Sequence, residues 1–269
     1  MSRPPVVLSI AGSDPSGGAG IQADLKTFSA LGAFGTSVVT ALTAQNTQGV
    51  TGVHVVPARF VNLQLETLVS DVRIDAVKIG MLANAELAAT VGAFLDAHPQ
   101  QVVVLDPVMV ATSGDRLLED DAVEAVRALS RRSSVITPNL AEAAVLLDMA
   151  PARSVAEMRY QAVALQRAGA ARVLLTGGHL DDEAEAVDVF ADTDAVVELR
   201  GPRVHTVNTH GTGCTLSSAL AALRPQRTSW AEAATDAKSW LTGALNAADV
   251  LEIGQGHGPV HHFYEIWSS

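Results

Sequence analysis

The chain has one cysteine, Cys214, among 269 residues, so no internal disulfide can form and an oxidising compartment would give it no stabilisation. It has no basic run. With 18 Lys plus Arg against 29 Asp plus Glu, net charge is -11, which argues against a surface for nucleic acid or anionic membrane. No apolar run approaches the ~18 residues that a membrane span needs. The opening "MSRPPVVLSIAGSD" is too short for a signal core followed by a cleavage site. Linkers, low-complexity tracts and internal repeats are missing too. These absences predict one cytoplasmic domain over residues 1–269.

What is present suits a large core: 48% hydrophobic residues and only 17% charged. Short apolar, β-branched runs recur: "VVLSI", "SVVTALTA", "AVKIGM", "VVVLDPV", "SVITP" and "RVLLTGG". Several are apolar at consecutive positions, as strands buried on both faces are. Amphipathic stretches at Ala58–Leu68, Glu86–Ala97 and Asp121–Leu129 read as helices between them. Capping boxes at Ser154 with Glu157 and Ser229 with Glu232 mark two more helix starts. The order predicts an α/β fold with a mostly parallel central sheet and helices on both faces. "DDEAEAVDVFADTDAVVELRGPRV" reads as an antiparallel hairpin appended to that sheet.

Ligands of such sheets bind beyond the carboxyl ends of the strands. The glycine-rich "IAGSDPSGGAGIQAD" follows the first strand, yet it matches neither common phosphate template. Gly18 and Ala19 stand where a Walker A loop has Lys and Ser/Thr. The second strand ends in Gln45 and Asn46, without the acidic residue of a dinucleotide site. The segment is either a tight turn or a place where backbone approaches a small ligand, with Asp24 one helical turn inside. "HGTGC" is the stronger anion site. Gly211 and Gly213 let backbone N–H groups turn inward where Thr215 and Leu216 start a helix. Cys214 at that helix start is expected to have a lowered thiol pKa and to accept a proton; the alternative is a small, buried, inert residue. Asp106 after the most apolar strand, and Asn139 and Glu142 three apart at a helix start, could hold a magnesium ion, although the last two also make ordinary caps. His261 and His262, adjacent in "GPVHHF", read as structural or surface residues.

Taken together, "IAGSDPSGGAGIQADLKTFSALGAFG", "TALTAQNTQGV", "VKIGML", "VLDPVM", "ITPNLAEAA" and "NTHGTGCTLSSALAA" resemble the hydroxymethylpyrimidine/phosphomethylpyrimidine kinases of thiamine biosynthesis, in the ribokinase-like superfamily. The resemblance runs nearly end to end. It implies a kinase that uses ATP and Mg²⁺ and phosphorylates 4-amino-5-hydroxymethyl-2-methylpyrimidine twice, working as a homodimer on small molecules. It further implies that Gln45 hydrogen-bonds the pyrimidine's polar edge, with Gly12, Asp24, Met81 and Val108 completing the pocket. Gly211, Thr212 and Gly213 would form the anion hole and Cys214 would be the base. Asn139 and Glu142 would act through the metal and the ATP phosphates, supported by Asp106. Two departures stand out: a cysteine where many sugar kinases of the superfamily have an aspartate, and Thr176 where a number of close relatives have a lysine near the phosphates. Lys238 is the candidate replacement for that charge. A pyridoxal kinase is the rival within the same class, and a non-catalytic pyrimidine sensor the rival outside it.

Overall fold

The computed structural model describes residues 3–100, 102–109, 122–178, 180 and 185–267. Asp121 and the acidic cluster 181–184, both used above, lie outside the described residues. Consecutive apolar runs become the strands of an eight-stranded sheet: β1 (Val6–Ala11), β2 (Phe34–Val39), β5 (Ala76–Ile79), β6 (Val103–Leu105), β7 (Val135–Ile136), β8 (Val173–Leu175), β9 (Glu185–Ala191) and β10 (Val196–Pro202). Their spatial order is β10-β9-β8-β7-β6-β5-β1-β2. The pairings from β2 across to β8 are parallel, whereas β9 and β10 continue the sheet antiparallel, as the appended hairpin predicts.

Burial on both faces follows from helices on both faces. α2 (Ala58–Val69), α3 (Ala85–Ala97), α4 (Ala122–Ser130), α5 (Leu140–Leu147) and α6 (Val155–Arg167) pack over one face, against Leu8, Ile10, Val77, Ile79 and Leu105. α1 (Gly20–Ala30), α7 (Thr212–Leu223) and α8 (Trp230–Asn246) cover the other, against Val7, Ala76, Val104 and Leu174. The alternation of strand side chains divides one strand between two cores. Ser154 and Ser229 do cap α6 and α8, accepting from the N–H of Glu157 and Glu232. The two glutamates reach one residue further back than a capping box requires, to the N–H of Arg153 and Thr228.

One predicted strand is two. The run "SVVTALTA" crosses from β2 into β3 (Ala41–Asn46), which pairs antiparallel with β4 (Gly49–Val55) in a separate two-stranded flap. The break falls at Thr40, whose N–H still donates to Ala11 and whose hydroxyl donates to the carbonyl of Met81. Gln45 is therefore on the flap, not at the end of a central strand.

Candidate active site

The turns after β1, β5, β6, β7 and β8 open on one side of the sheet and, with the flap and the start of α7, enclose a cavity of about 550 Å³. This is the carboxyl end of the parallel strands, where the fold class places ligands. Gly12, Met81, Asp106, Val108, Asn139 and Thr176 line it from the sheet, Gln45 from the flap, and Gly211, Thr212, Gly213 and Cys214 from the turn before α7. Glu142 and Lys238 complete the predicted set, and Asp24 alone is not on the wall.

α7 begins at Thr212, three residues earlier than the sequence suggested, with Gly211 as its N-cap at φ 75°. A side chain at 211 would be strained there and would collide with the carbonyl of Gly18. Thr215 N–H donates to Gly211 at 2.8 Å and Thr212 N–H to Thr209 at 3.2 Å. The N–H groups of Gly213 and Cys214 have no acceptor among the described residues. They are the free donors of a helix start, aimed where an anion would be stabilised.

The thiol departs from the expectation. Cys214 is half-buried, with the Gly20 N–H, the Asp106 carboxylate and the Lys78 ammonium close enough to bear on its charge. Burial pushes its pKa up to about 12; Lys78 pulls the other way, while Asp106 and Asp24 add to the rise. The helix start does not outweigh desolvation beside two carboxylates. In the ligand-free protein Cys214 is a neutral thiol.

Asp24, on the inner face of α1, is fully buried against the sheet and α7, not in the pocket wall. Ser9 and Lys78 are register partners on β1 and β5, and both point at it. Lys78 Nζ lies 2.9 and 3.0 Å from its two carboxylate oxygens, with the hydroxyls of Ser9 at 2.6 Å and Ser218 at 2.7 Å. Burial disfavours the Lys78 cation, yet Asp24, Cys214 and Asp106 together hold its pKa above the usual lysine range.

Asp106 and Glu142 form an acid pair. Burial raises both pKa values; Lys78 opposes the rise at Asp106 while Asp24 adds to it, and Asp106 lifts Glu142 further, to about 8. Glu142 and Asn139 also make a full capping box, the Asn139 N–H donating to Glu142 at 2.9 Å and the reverse at 2.9 Å. Capping and ligand binding are thus two uses of one geometry. Among the described residues no cage of three or more metal-ligating side chains occurs. Magnesium needs only one or two carboxylates beside water and phosphate oxygens, and a divalent cation would relieve this pair's mutual repulsion, so the donors fit it.

Thr176 adjoins Asn139 through a parallel bridge. Lys238 faces the cavity, but its charge is engaged by Asp188 at 2.8 Å. Sequence reasoning passed over that aspartate, and also Asp14, His210 and Lys78, all of which line the cavity. Lys78 carried a signal, a lone charge inside the apolar run "AVKIGM". Asp14 and His210 stood within quoted motifs, but their contact spans 196 positions and only the fold reveals it.

A phosphomethylpyrimidine kinase family model matches residues 14–261. The chain belongs to that family. It is 55% identical over 261 residues to the hydroxymethylpyrimidine/phosphomethylpyrimidine kinase of Escherichia coli strain K12, covering 97% of this chain and 98% of that one. A pyridoxal kinase of Bacillus subtilis, solved as an ADP complex, superposes with a TM-score of 0.91 at 32% identity, over 99% of this chain and all of the other. The phosphomethylpyrimidine kinase of Clostridium difficile 630 superposes at 0.80 with 37% identity, covering 90% and 99%. As a kinase of this family the chain uses ATP with a divalent metal. The ribokinase-like architecture predicted from the motifs is the one found. Among the described residues no helix is long and apolar enough to cross a membrane.

Proposed function

We propose that the chain, as one kinase domain spanning residues 1–269, transfers phosphoryl groups from ATP to 4-amino-5-hydroxymethyl-2-methylpyrimidine and then to its monophosphate, in cytoplasmic thiamine biosynthesis. The carrying observation is the meeting, in one cavity, of two free amides at the start of α7, the acid pair Asp106/Glu142 and the amide of Gln45. Phosphoryl transfer asks for placement and for neutralisation of spreading charge more than for covalent help. At net charge -11 that neutralisation must be local. The N–H groups of Gly213 and Cys214 receive the transferring oxygens, and Asn139, Thr176 and Lys238 border the nucleotide. Asp106 and Glu142 would hold Mg²⁺, which when bound offsets phosphate charge. Cys214 takes the substrate hydroxyl's proton as its own passes to the neighbouring Asp106 carboxylate, whose other oxygen stays with the metal. Phe34, Leu42 and Val53, left exposed by β2 and the flap, supply apolar area that supports a homodimer.

Mass spectrometry of the aminopyrimidine alcohol incubated with ATP and Mg²⁺ should show one and then two added phosphoryl groups. Unmodified alcohol would overturn the reading. The likeness to a pyridoxal kinase supports a second substrate, and parallel turnover of pyridoxal measures it.

Two variants test the roles. Gln45→Leu should weaken pyrimidine binding about tenfold, because the ring's polar edge loses its partners, and leave ATP affinity unchanged in calorimetry. An unchanged pyrimidine dissociation constant removes Gln45 from the pocket. Glu142→Gln should raise the Mg²⁺ concentration for half-maximal rate several-fold; a flat metal response counts against the assignment. Folding raises the Glu142 pKa from 4.5 to about 8, so folding takes up a proton there. Ligand-free stability should therefore fall as pH rises through that window, less steeply in Glu142→Gln, as thermal melts at pH 5 and pH 8 will show.

A further inference from the structure

Asp14 and His210 form a buried pair at the cavity edge that none of the proposed roles uses. Asp14 is 1% exposed, and its carboxylate accepts from Ser16 N–H at 2.9 Å, Gly18 N–H at 3.1 Å, Ala19 N–H at 2.8 Å, the Ser16 hydroxyl and His210 Nε2 at 2.8 Å. Burial opposes the anion, but His210 and Ser16 hold its pKa down at about 2. A carboxylate can only accept, so the shared hydrogen resides on His210 Nε2.

Gln45 Nε2 lies 3.4 Å from that same ring nitrogen. Two N–H donors meet there, and the imidazole cannot accept from the amide. Gln45 Oε1, for its part, lies 3.2 Å from the Thr43 hydroxyl. A donor in that place disfavours the amide NH₂ and favours its Oε1, while the Thr43 hydroxyl, which donates to the Ser13 carbonyl at 2.9 Å, is left able to accept from the NH₂. The proton that Asp14 fixes on His210 thus decides which way the amide points. His210 is itself fixed from behind, its backbone N–H donating to Gly258 at 3.0 Å. Gly18 is what lets the ring approach, since a Cβ there would collide with His210 Cδ2 and crowd Pro259.

We propose that the Asp14–His210 pair is a specificity-determining positioning device: it sets the direction of the Gln45 amide and so the donor–acceptor order that an aminopyrimidine edge must match. This rests on the reading of Gln45 as the substrate contact. A purely structural pair would affect every ligand alike; this one acts through Gln45 alone.

A double-mutant cycle on the full-length protein tests it, with pyrimidine and ATP dissociation constants as readouts. His210→Phe should weaken pyrimidine binding about tenfold with ATP affinity within twofold, and Gly18→Ala, which pushes the ring aside, should do the same. His210→Gln, which keeps a donor for Asp14, should recover most of the loss. In a Gln45→Leu background, His210→Phe should cost nothing further. Additive losses, or a parallel fall in ATP affinity, would overturn the proposal while leaving Gln45 in place. If Gln45→Leu itself binds the pyrimidine normally, the underlying reading is what fails. Should His210→Phe not fold, Gly18→Ala and His210→Gln carry the same comparison.

Discussion

Cys214→Ala should lose on the order of 10²-fold or more in turnover, with pyrimidine affinity largely intact, if the sulfur handles the hydroxyl proton. Steady-state kinetics of the purified variant beside calorimetric binding decide it. Near-normal turnover would mean that position 214 needs only a small residue over the helix start. The structure adds a second test of the same atom. With the thiol held at about 12, roughly one molecule in 10⁴ is thiolate at pH 8. Alkylation by iodoacetamide, read at the only cysteine by mass spectrometry, should be slow at pH 7 and rise about tenfold per pH unit through pH 9 without a plateau. A slope that flattens from about pH 8.5 would show an ordinary thiol and remove the relay to Asp106.

Asp24→Leu should destabilise the protein by roughly 3–5 kcal/mol, because it leaves Lys78 as a buried cation without its carboxylate. Both side chains of the pair are 0% exposed, so Asp24 rather than solvent supplies the counter-charge of Lys78. Urea denaturation at neutral pH measures the loss. Combining Asp24→Leu with Lys78→Met should recover much of it, since an apolar pair replaces an ionic one without stranding a charge. Lys78 has a raised pKa in the fold, so the pair's contribution is present throughout the neutral range and is lost only as pH climbs past that of ordinary lysine. A single variant as stable as the parent would show that Lys78 finds another counter-charge, with Asp106 the nearest candidate.

How much of this could be read from the chain depends on the range of the interactions involved. The parallel sheet was legible because its strands are short apolar runs whose burial is a local property. The cavity was legible because the residues that line it follow those runs directly: Asp106 after β6, Asn139 after β7 and Thr176 after β8. The flap was not, since "SVVTALTA" is continuous in hydrophobicity and only Thr40, hydrogen-bonded to two other segments, divides it. Asp24 read as a pocket residue because its motif surrounds a pocket. Its orientation toward Lys78 is set by helix α1 docking on the sheet, which no local pattern encodes. The thiol's pKa went the other way for a similar reason: the helix start is a sequence feature, whereas the carboxylates beside Cys214 arrive from β6 and α1.

The polar knot around Asp24 also bears on how the protein comes to be made. Its last hydroxyl arrives from a serine 194 positions downstream. A nascent chain emerging from the ribosome must keep the carboxylate hydrated, and the first strand half-covered, until α7 has been synthesised. Truncated products that end before Ser218 should accordingly be poor at reaching a closed state, which makes them ready substrates for proteolytic clearance.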